Sequence, residues 1–168
     1  SSYVKEPKNE IQKYFRRKHG SISEVGHSLT DHEYSRHKPE IIEKFQSMID
    51  NQGKVPNRFK TKKFAQRLLP RRWSESGPNI TVASLPDDFV HFSQPRILTV
   101  REWARLQTFP DWYQFSGKRT TGGQRRAGNP DQDNWHRELP KYTQIGNAVP
   151  VKLATVLGKH LASTLNGF

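Results

Sequence analysis

Apolar residues recur three and four positions apart in three stretches of this chain, and each stretch predicts a helix. The first runs from Pro39 to Ile49, where Ile41, Ile42, Phe45, Met48 and Ile49 share a face. Pro39 suits its first turn and Gly53 its stop. The second follows Leu98. Thr99 and Glu102 stand at capping-box spacing, Leu98 is placed to staple against Trp103, and Pro110 ends the helix. The third runs from Val151 to Leu165, with Leu153, Ala154, Leu157, Leu161 and Leu165 in phase. Just ahead of it, Tyr142 to Pro150 reads as a tight glycine turn at Gly146 that feeds the helix start. Asn147 would be its N-cap, with Pro150 in the first turn.

Strand signals are fewer. Ile80, Val82, Phe89, Val90 and Phe92, interrupted by the turn Leu85-Pro86-Asp87-Asp88, predict a hairpin. Ser1 to Gly20 is polar and basic, with room for one or two amphipathic turns around Ile11, Tyr14 and Phe15. Ser116 to Asn134 is basic and rich in glycine. A DNA contact and a surface insertion are both open for that last stretch.

Composition changes the picture in two ways. Over 168 residues, one domain or a small domain with a tail is expected, yet only 32% of the residues are apolar and mean hydropathy is −0.91. Ordinary globular chains carry about 45 to 50% apolar residues with glycine counted, so part of the hydrophobic surface here should be completed by something else. The net charge is +12 and the isoelectric point near 10.1. That excess points to a polyanionic partner, nucleic acid first.

The charge is concentrated. From Lys54 to Arg72 the chain carries Lys54, Arg58, Lys60, Lys62, Lys63, Arg67, Arg71 and Arg72 with no acidic residue among them, while Phe59, Phe64, Leu68 and Leu69 are spaced through the run. Such a stretch can follow a phosphate backbone while staying anchored to its own domain. Each phosphate neutralised contributes about −0.9 to the slope of log K against log salt on duplex DNA.

Other chemistry is excluded. The chain has no cysteine, so disulfides and thiolate metal sites are ruled out. His27, His32 and His37 have no acidic partner at ligand spacing and read as surface or hydrogen-bonding histidines. Asp87 and Asp88 read as turn formers rather than an acid-base pair. No apolar run approaches the length needed to span a bilayer, no signal-peptide pattern opens the chain, and no G-x-x-x-x-G-K-[ST] spacing or aromatic RNA-binding signature is present.

Two stretches together resemble the DNA cytosine-5 methyltransferases. RILTVREWARLQTFPDWYQF, from Arg96 to Phe115, is similar to that family's ninth motif, and YTQIGNAVPVKLA, from Tyr142 to Ala154, to its tenth. The resemblance runs from about His27 to Leu161. The family's Pro-Cys nucleophile motif, Gly-rich cofactor loop, Glu-Asn-Val and Gln-x-Arg-x-Arg motifs have no counterpart here.

The resemblance implies an α+β fold. A small target-recognition domain of short strands and helices would occupy 27–140, including the ninth motif at 96–115. A polar and basic segment, 1–26, would precede it. The tenth motif and C-terminal helix, 141–168, would follow, the helix packing on an absent Rossmann-like catalytic domain. It also implies that Thr81 touches a phosphate, that Arg71 reads a guanine edge, and that Asn147 and Val149 contact S-adenosyl-L-methionine. The free amides of the helix start would suit that cofactor's carboxylate. Arg58, Lys60, Lys62 and Lys63 would add DNA contacts.

The whole enzyme would flip a cytosine out of duplex DNA, attack carbon 6 with a cysteine thiolate and methylate carbon 5. This chain would hold the DNA and complete the cofactor pocket, inactive until joined by a catalytic half carrying the Pro-Cys motif, either a separate subunit or a removed N-terminal part. A restriction-modification system in the bacterial cytoplasm or nucleoid is the expected setting. The rival is a non-catalytic DNA-binding protein or an inactive remnant, which would have no use for Gly146-Asn147-Ala148-Val149-Pro150.

Overall fold

The computed structural model describes residues 1–60, 66–71, 86–120 and 139–167. In chain order the elements are α1 (Glu10–Arg16), β1 (Arg17–Lys18), β2 (Ser21–Ile22), α2 (Pro39–Asp50), β3 (Arg67–Leu68), β4 (Phe89–Val90), α3 (Val100–Leu106), α4 (Lys141–Asn147) and α5 (Val151–Leu165). Single 3-10 turns lie at Asn57–Phe59 and Pro86–Asp88. Helices and short strands are mixed, as an α+β chain requires.

Helix α3 is the centre. Thr99 accepts from the Glu102 amide while the Glu102 carboxylate accepts from the Thr99 amide, so the capping box is complete. Leu98 and Trp103 lie in one buried cluster with Leu69, Phe89, Val100, Ala104, Phe109, Phe115, Tyr142 and Ile145. The cluster therefore joins α3 to α4, the two ends of the 96–154 region. Tyr142 adds direction to that contact by donating its hydroxyl to the Leu98 carbonyl at 2.7 Å. A smaller cluster of Phe45, Met48, Val90 and Ile97 seats α2 against β4.

Of the two stops the sequence offers, Gly53 takes part in closing α2, its amide donating to the Met48 carbonyl at 2.7 Å, while Pro110 plays no part in ending α3. Helix α3 stops at Leu106, ahead of Pro110, because Thr108 adopts φ 58°. The Phe109 amide then donates to the Ala104 carbonyl and the Thr108 amide to that of Arg105, each at 2.9 Å. This is a Schellman closure with threonine where glycine is usual. Helix α2 closes the same way on Gln52 (φ 53°), with Gly53 following at φ 91°.

Strand pairing differs in part from expectation. Phe89 and Val90 pair in parallel with Arg67 and Leu68, and Val90 also bridges to Ile97. The arm of the expected hairpin at Ile80 and Val82 lies outside the described residues. The glycine turn is corrected: Gly146 is buried within α4 and its φ is not positive. Asn147 is corrected too, since it closes α4, and Pro150 holds the N-cap position of α5. Ile145 and Tyr142 reach the shared core, which keeps the backbone helical through the motif and moves the break to Ala148–Pro150.

The N-terminal segment is folded onto α3. Tyr3 and Leu29 are buried, the Tyr3 hydroxyl meets Asp111 at 2.6 Å, and the Asp111 amide donates to the Phe15 carbonyl at 2.8 Å. Among the described residues no helix is long and apolar enough to cross a membrane.

Candidate functional site

Two charged assemblies fix α3 and the loops around it. Arg96 sends a two-pronged contact to Glu102, at 2.7 and 2.8 Å. Burial opposes ionisation of Glu102, but the Arg96 guanidinium and the Thr99 amide more than offset it, and the carboxyl is held below its ordinary value. His32 shares a hydrogen bond with the Thr99 hydroxyl at 2.9 Å. Burial pushes His32 and His91 below the usual histidine value.

Arg101 is fully buried. Its guanidinium donates to the Thr30 carbonyl and hydroxyl, to the Pro110 carbonyl and, at 2.7 Å, to the Tyr113 carbonyl. Asp31 stands 3.6 Å away and also binds Lys141 Nζ at 2.6 Å. One carboxylate thus serves the start of α4 and the interior of α3. These bonds hold the N-terminal segment, the 110–115 loop and α4 in one frame.

The break between α4 and α5 is fixed by the two residues that close α3. Gln107 Nε2 donates to the carbonyls of Ile145, at 3.3 Å, and Ala148, at 3.2 Å. Its backbone carbonyl accepts from Val151 at 3.1 Å, and Thr108 Oγ1 accepts from the Lys152 amide at 2.9 Å. Helix α5 has no local side-chain cap, so two of its orphan amides are satisfied from α3 instead. The Val151 and Lys152 amides are therefore engaged within the chain. Tyr14 completes the junction: its hydroxyl donates to the Thr108 carbonyl at 2.7 Å, and Lys152 Nζ lies 4.7 Å from its ring centre.

Asn147 ends α4 at this break and Val149 lies within it; both are exposed, Val149 at 60%. Among the described residues the Asn147 side chain makes no hydrogen bond. Beyond them α5 projects without a single buried residue. Leu153, Leu157, Leu161 and Leu165, in phase on one face, are each at least half exposed.

The basic stretch is only partly described. Arg58, Lys60 and Arg71 are exposed, whereas Lys62, Lys63 and Thr81 lie outside the described residues. Arg58 is engaged: its guanidinium bonds Glu43 at 2.6 Å and covers the Phe59 ring. Buried Leu69, whose amide donates to Val90 at 3.0 Å, anchors the run to the α3 core. Arg71 lies two residues beyond that anchor. The structure holds Asn147 and Val149 at the same helix break and leaves Arg58, Lys60 and Arg71 exposed.

Sequence reading gives no role to Gln107, Thr108, Arg101 or Asp31, and takes Tyr14 only as part of an apolar cluster. Only Asp31 carried a local hint, as a residue type that tolerates its φ of 60°.

Comparison with known proteins gives a consistent result. The sequence model of the C-5 cytosine-specific DNA methylases matches residues 2–163. The type II methyltransferase M.Eco47II of Escherichia coli is 32% identical over 95% of this chain and 32% of its own length. M.DdeI of Desulfomicrobium norvegicum is 42% identical over 48% of the chain and 17% of its own length. The type II methyltransferase M.AquIB of Picosynechococcus is 32% identical over 82% of this chain and 90% of its own length. The matches thus span about a sixth to a third of the first two relatives and nearly all of the third.

Proposed function

The chain belongs to the C-5 cytosine-specific DNA methylase family, and from that premise we propose that it is the DNA-recognition and cofactor-pocket-completing portion of a DNA cytosine-5 methyltransferase of a restriction-modification system. The methyl donor is S-adenosyl-L-methionine and the substrate is cytosine in duplex DNA. The reactive cysteine and most of the cofactor site belong to a catalytic half that the C-terminal helix joins.

One observation carries this reading. Helix α5 is tied at its base by directed hydrogen bonds, yet its apolar stripe from Leu153 to Leu165 is bare. A secured helix with an uncovered apolar face supports a large partner surface rather than a solvated tail. In M.Eco47II and M.DdeI most of the length lies outside the match, which supports a catalytic half as the occupant. A relative of nearly this chain's own length, M.AquIB, supports the half being a separate polypeptide.

The residues present fit the cofactor. Asn147 offers an unbonded carboxamide and Val149 a bare apolar side chain at the same helix break. The first suits the polar methionine end of the cofactor, the second a hydrophobic edge of its pocket. When bound, the cofactor supplies the methyl group. The exposed cations Arg58, Lys60 and Arg71, with Lys62, Lys63 and Thr81, would carry the duplex; Arg71 is the candidate for a guanine edge, worth about 1 to 3 kcal/mol of discrimination.

The test is co-expression with the polypeptide encoded beside it, followed by transfer of labelled methyl groups to duplex DNA. Transfer by the assembled pair, and by neither chain alone, is expected. Transfer by this chain alone would overturn the division of labour. No transfer with any catalytic half would return the chain to a non-catalytic DNA-binding protein or an inactive remnant.

A further inference from the structure

We infer that Gln107 and Thr108 are positioning residues for methyl-donor binding, because they set where Asn147 and Val149 stand. The inference rests on the cofactor-facing role proposed above for those two residues. Four hydrogen bonds bracket the break: Gln107 Nε2 to the Ile145 and Ala148 carbonyls before it, Val151 and Lys152 amides to Gln107 O and Thr108 Oγ1 after it. Among the described residues, 145–152 make no other hydrogen bond to a partner outside 141–167. Ala148 and Val151 also pack against the core, but apolar contact is non-directional and does not fix a backbone's rotation.

The geometry of Thr108 supports a dedicated role. A β-branched residue at φ 58° is strained, and glycine or asparagine would close α3 more easily. Neither would place a hydroxyl on the Lys152 amide while the backbone carbonyl receives Tyr14. Threonine tolerates the conformation and supplies the acceptor that starts α5. Gln107 is nearly fully buried, and its carboxamide faces two carbonyls, so its donor nitrogen is fixed in direction. The closing turn of one helix is therefore the cap of another.

Three variants separate this role from bulk stability: Thr108→Val, which keeps the branched shape and removes the acceptor; Thr108→Ser, which restores it; and Gln107→Leu, which removes the donor. Two measurements are made on each. The first is hydrogen exchange at the Val151 and Lys152 amides in the full chain. The second is S-adenosyl-L-methionine binding by calorimetry, with its KM and kcat, in the chain assembled with its catalytic half.

Thr108→Val should speed exchange at Lys152 and weaken methyl-donor binding about fivefold, as loss of one ordinary hydrogen bond does. The effect should fall on the donor's KM more than on kcat and be reversed by Thr108→Ser. Gln107→Leu should do more. An active assembly whose donor affinity is unmoved in Thr108→Val and Gln107→Leu overturns this inference and leaves the proposed function standing. A parent chain that confers no methyl transfer on any catalytic half overturns both.

Discussion

Thr108 caps a helix 44 residues away: its Oγ1 accepts the Lys152 amide at 2.9 Å while its own backbone, at φ 58°, ends α3. Termination of one element and initiation of another meet in a single side chain. The 96–115 and 142–154 stretches are joined at this point, next to Asn147 and Val149.

Replacing Thr108 with glycine should leave unfolding free energy within about 1 kcal/mol of the parent, because relief of left-handed strain offsets the lost cap. Thr108→Ala keeps most of the strain and loses the cap, so it should be the less stable of the two by about 1 kcal/mol. Urea midpoints rank the pair, and the reverse order would remove strain from the account.

Arg101 should be intolerant of change. It is fully buried and donates to three carbonyls and a hydroxyl beside Asp31. Arg101→Met strips those acceptors of their donors and should cost about 3 kcal/mol or more, which denaturant melts of the isolated chain would read. Lysine should not rescue it, since a point charge cannot reproduce the planar fork.

Leu157→Asp should separate folding from assembly. The residue is half exposed, so the isolated chain should keep its stability within about 0.5 kcal/mol. Methyl transfer on mixing with the catalytic half should fall at least about a hundredfold, because a charge would be desolvated at the centre of the joint. Undiminished transfer would place the joint elsewhere.

Stability should fall in two stages with acid. His32 and His91 are held below the usual 6.5, with burial the first cause, so the unfolded chain takes up protons first as pH drops through 6.5. The loss ceases below their folded values. Glu102 is held below 4.5 despite burial, through Arg96 and Thr99, and its contribution is lost as pH falls from about that value through the lower folded one. Thermal melts between pH 7.5 and 3 should show both limbs, and Glu102→Gln should flatten the lower one.

Glu43 should restrain DNA binding. It holds Arg58 at 2.6 Å, but both side chains are more than half exposed and such a pair is worth about 0 to 1 kcal/mol. Glu43→Gln should tighten duplex binding about twofold to threefold at low salt. Arg58→Gln should reduce the salt slope by about 0.9 if that cation meets a phosphate. Fluorescence anisotropy across a salt series reads both.

What the sequence determined on its own was whatever closes within one or two helical turns. The box of Thr99 and Glu102, the buried pair Phe45 and Met48 in α2, and the phase of Leu153 to Leu165 need only neighbours three or four residues away. The two stretches that carry the resemblance to the family are legible for the same reason, as contiguous strings.

The tertiary structure decided what depends on partners far along the chain. Glycine followed by asparagine favours a turn at Gly146 locally; burial of Tyr142 and Ile145 in one cluster with Trp103 outweighs that preference and keeps α4 helical through Asn147. Tyr3 meets Asp111 across 108 residues, Asp31 meets Lys141 across 110, and Gln107 meets Ala148 across 41. No periodicity records such pairs, because the geometry that makes them favourable exists only once the intervening chain has folded.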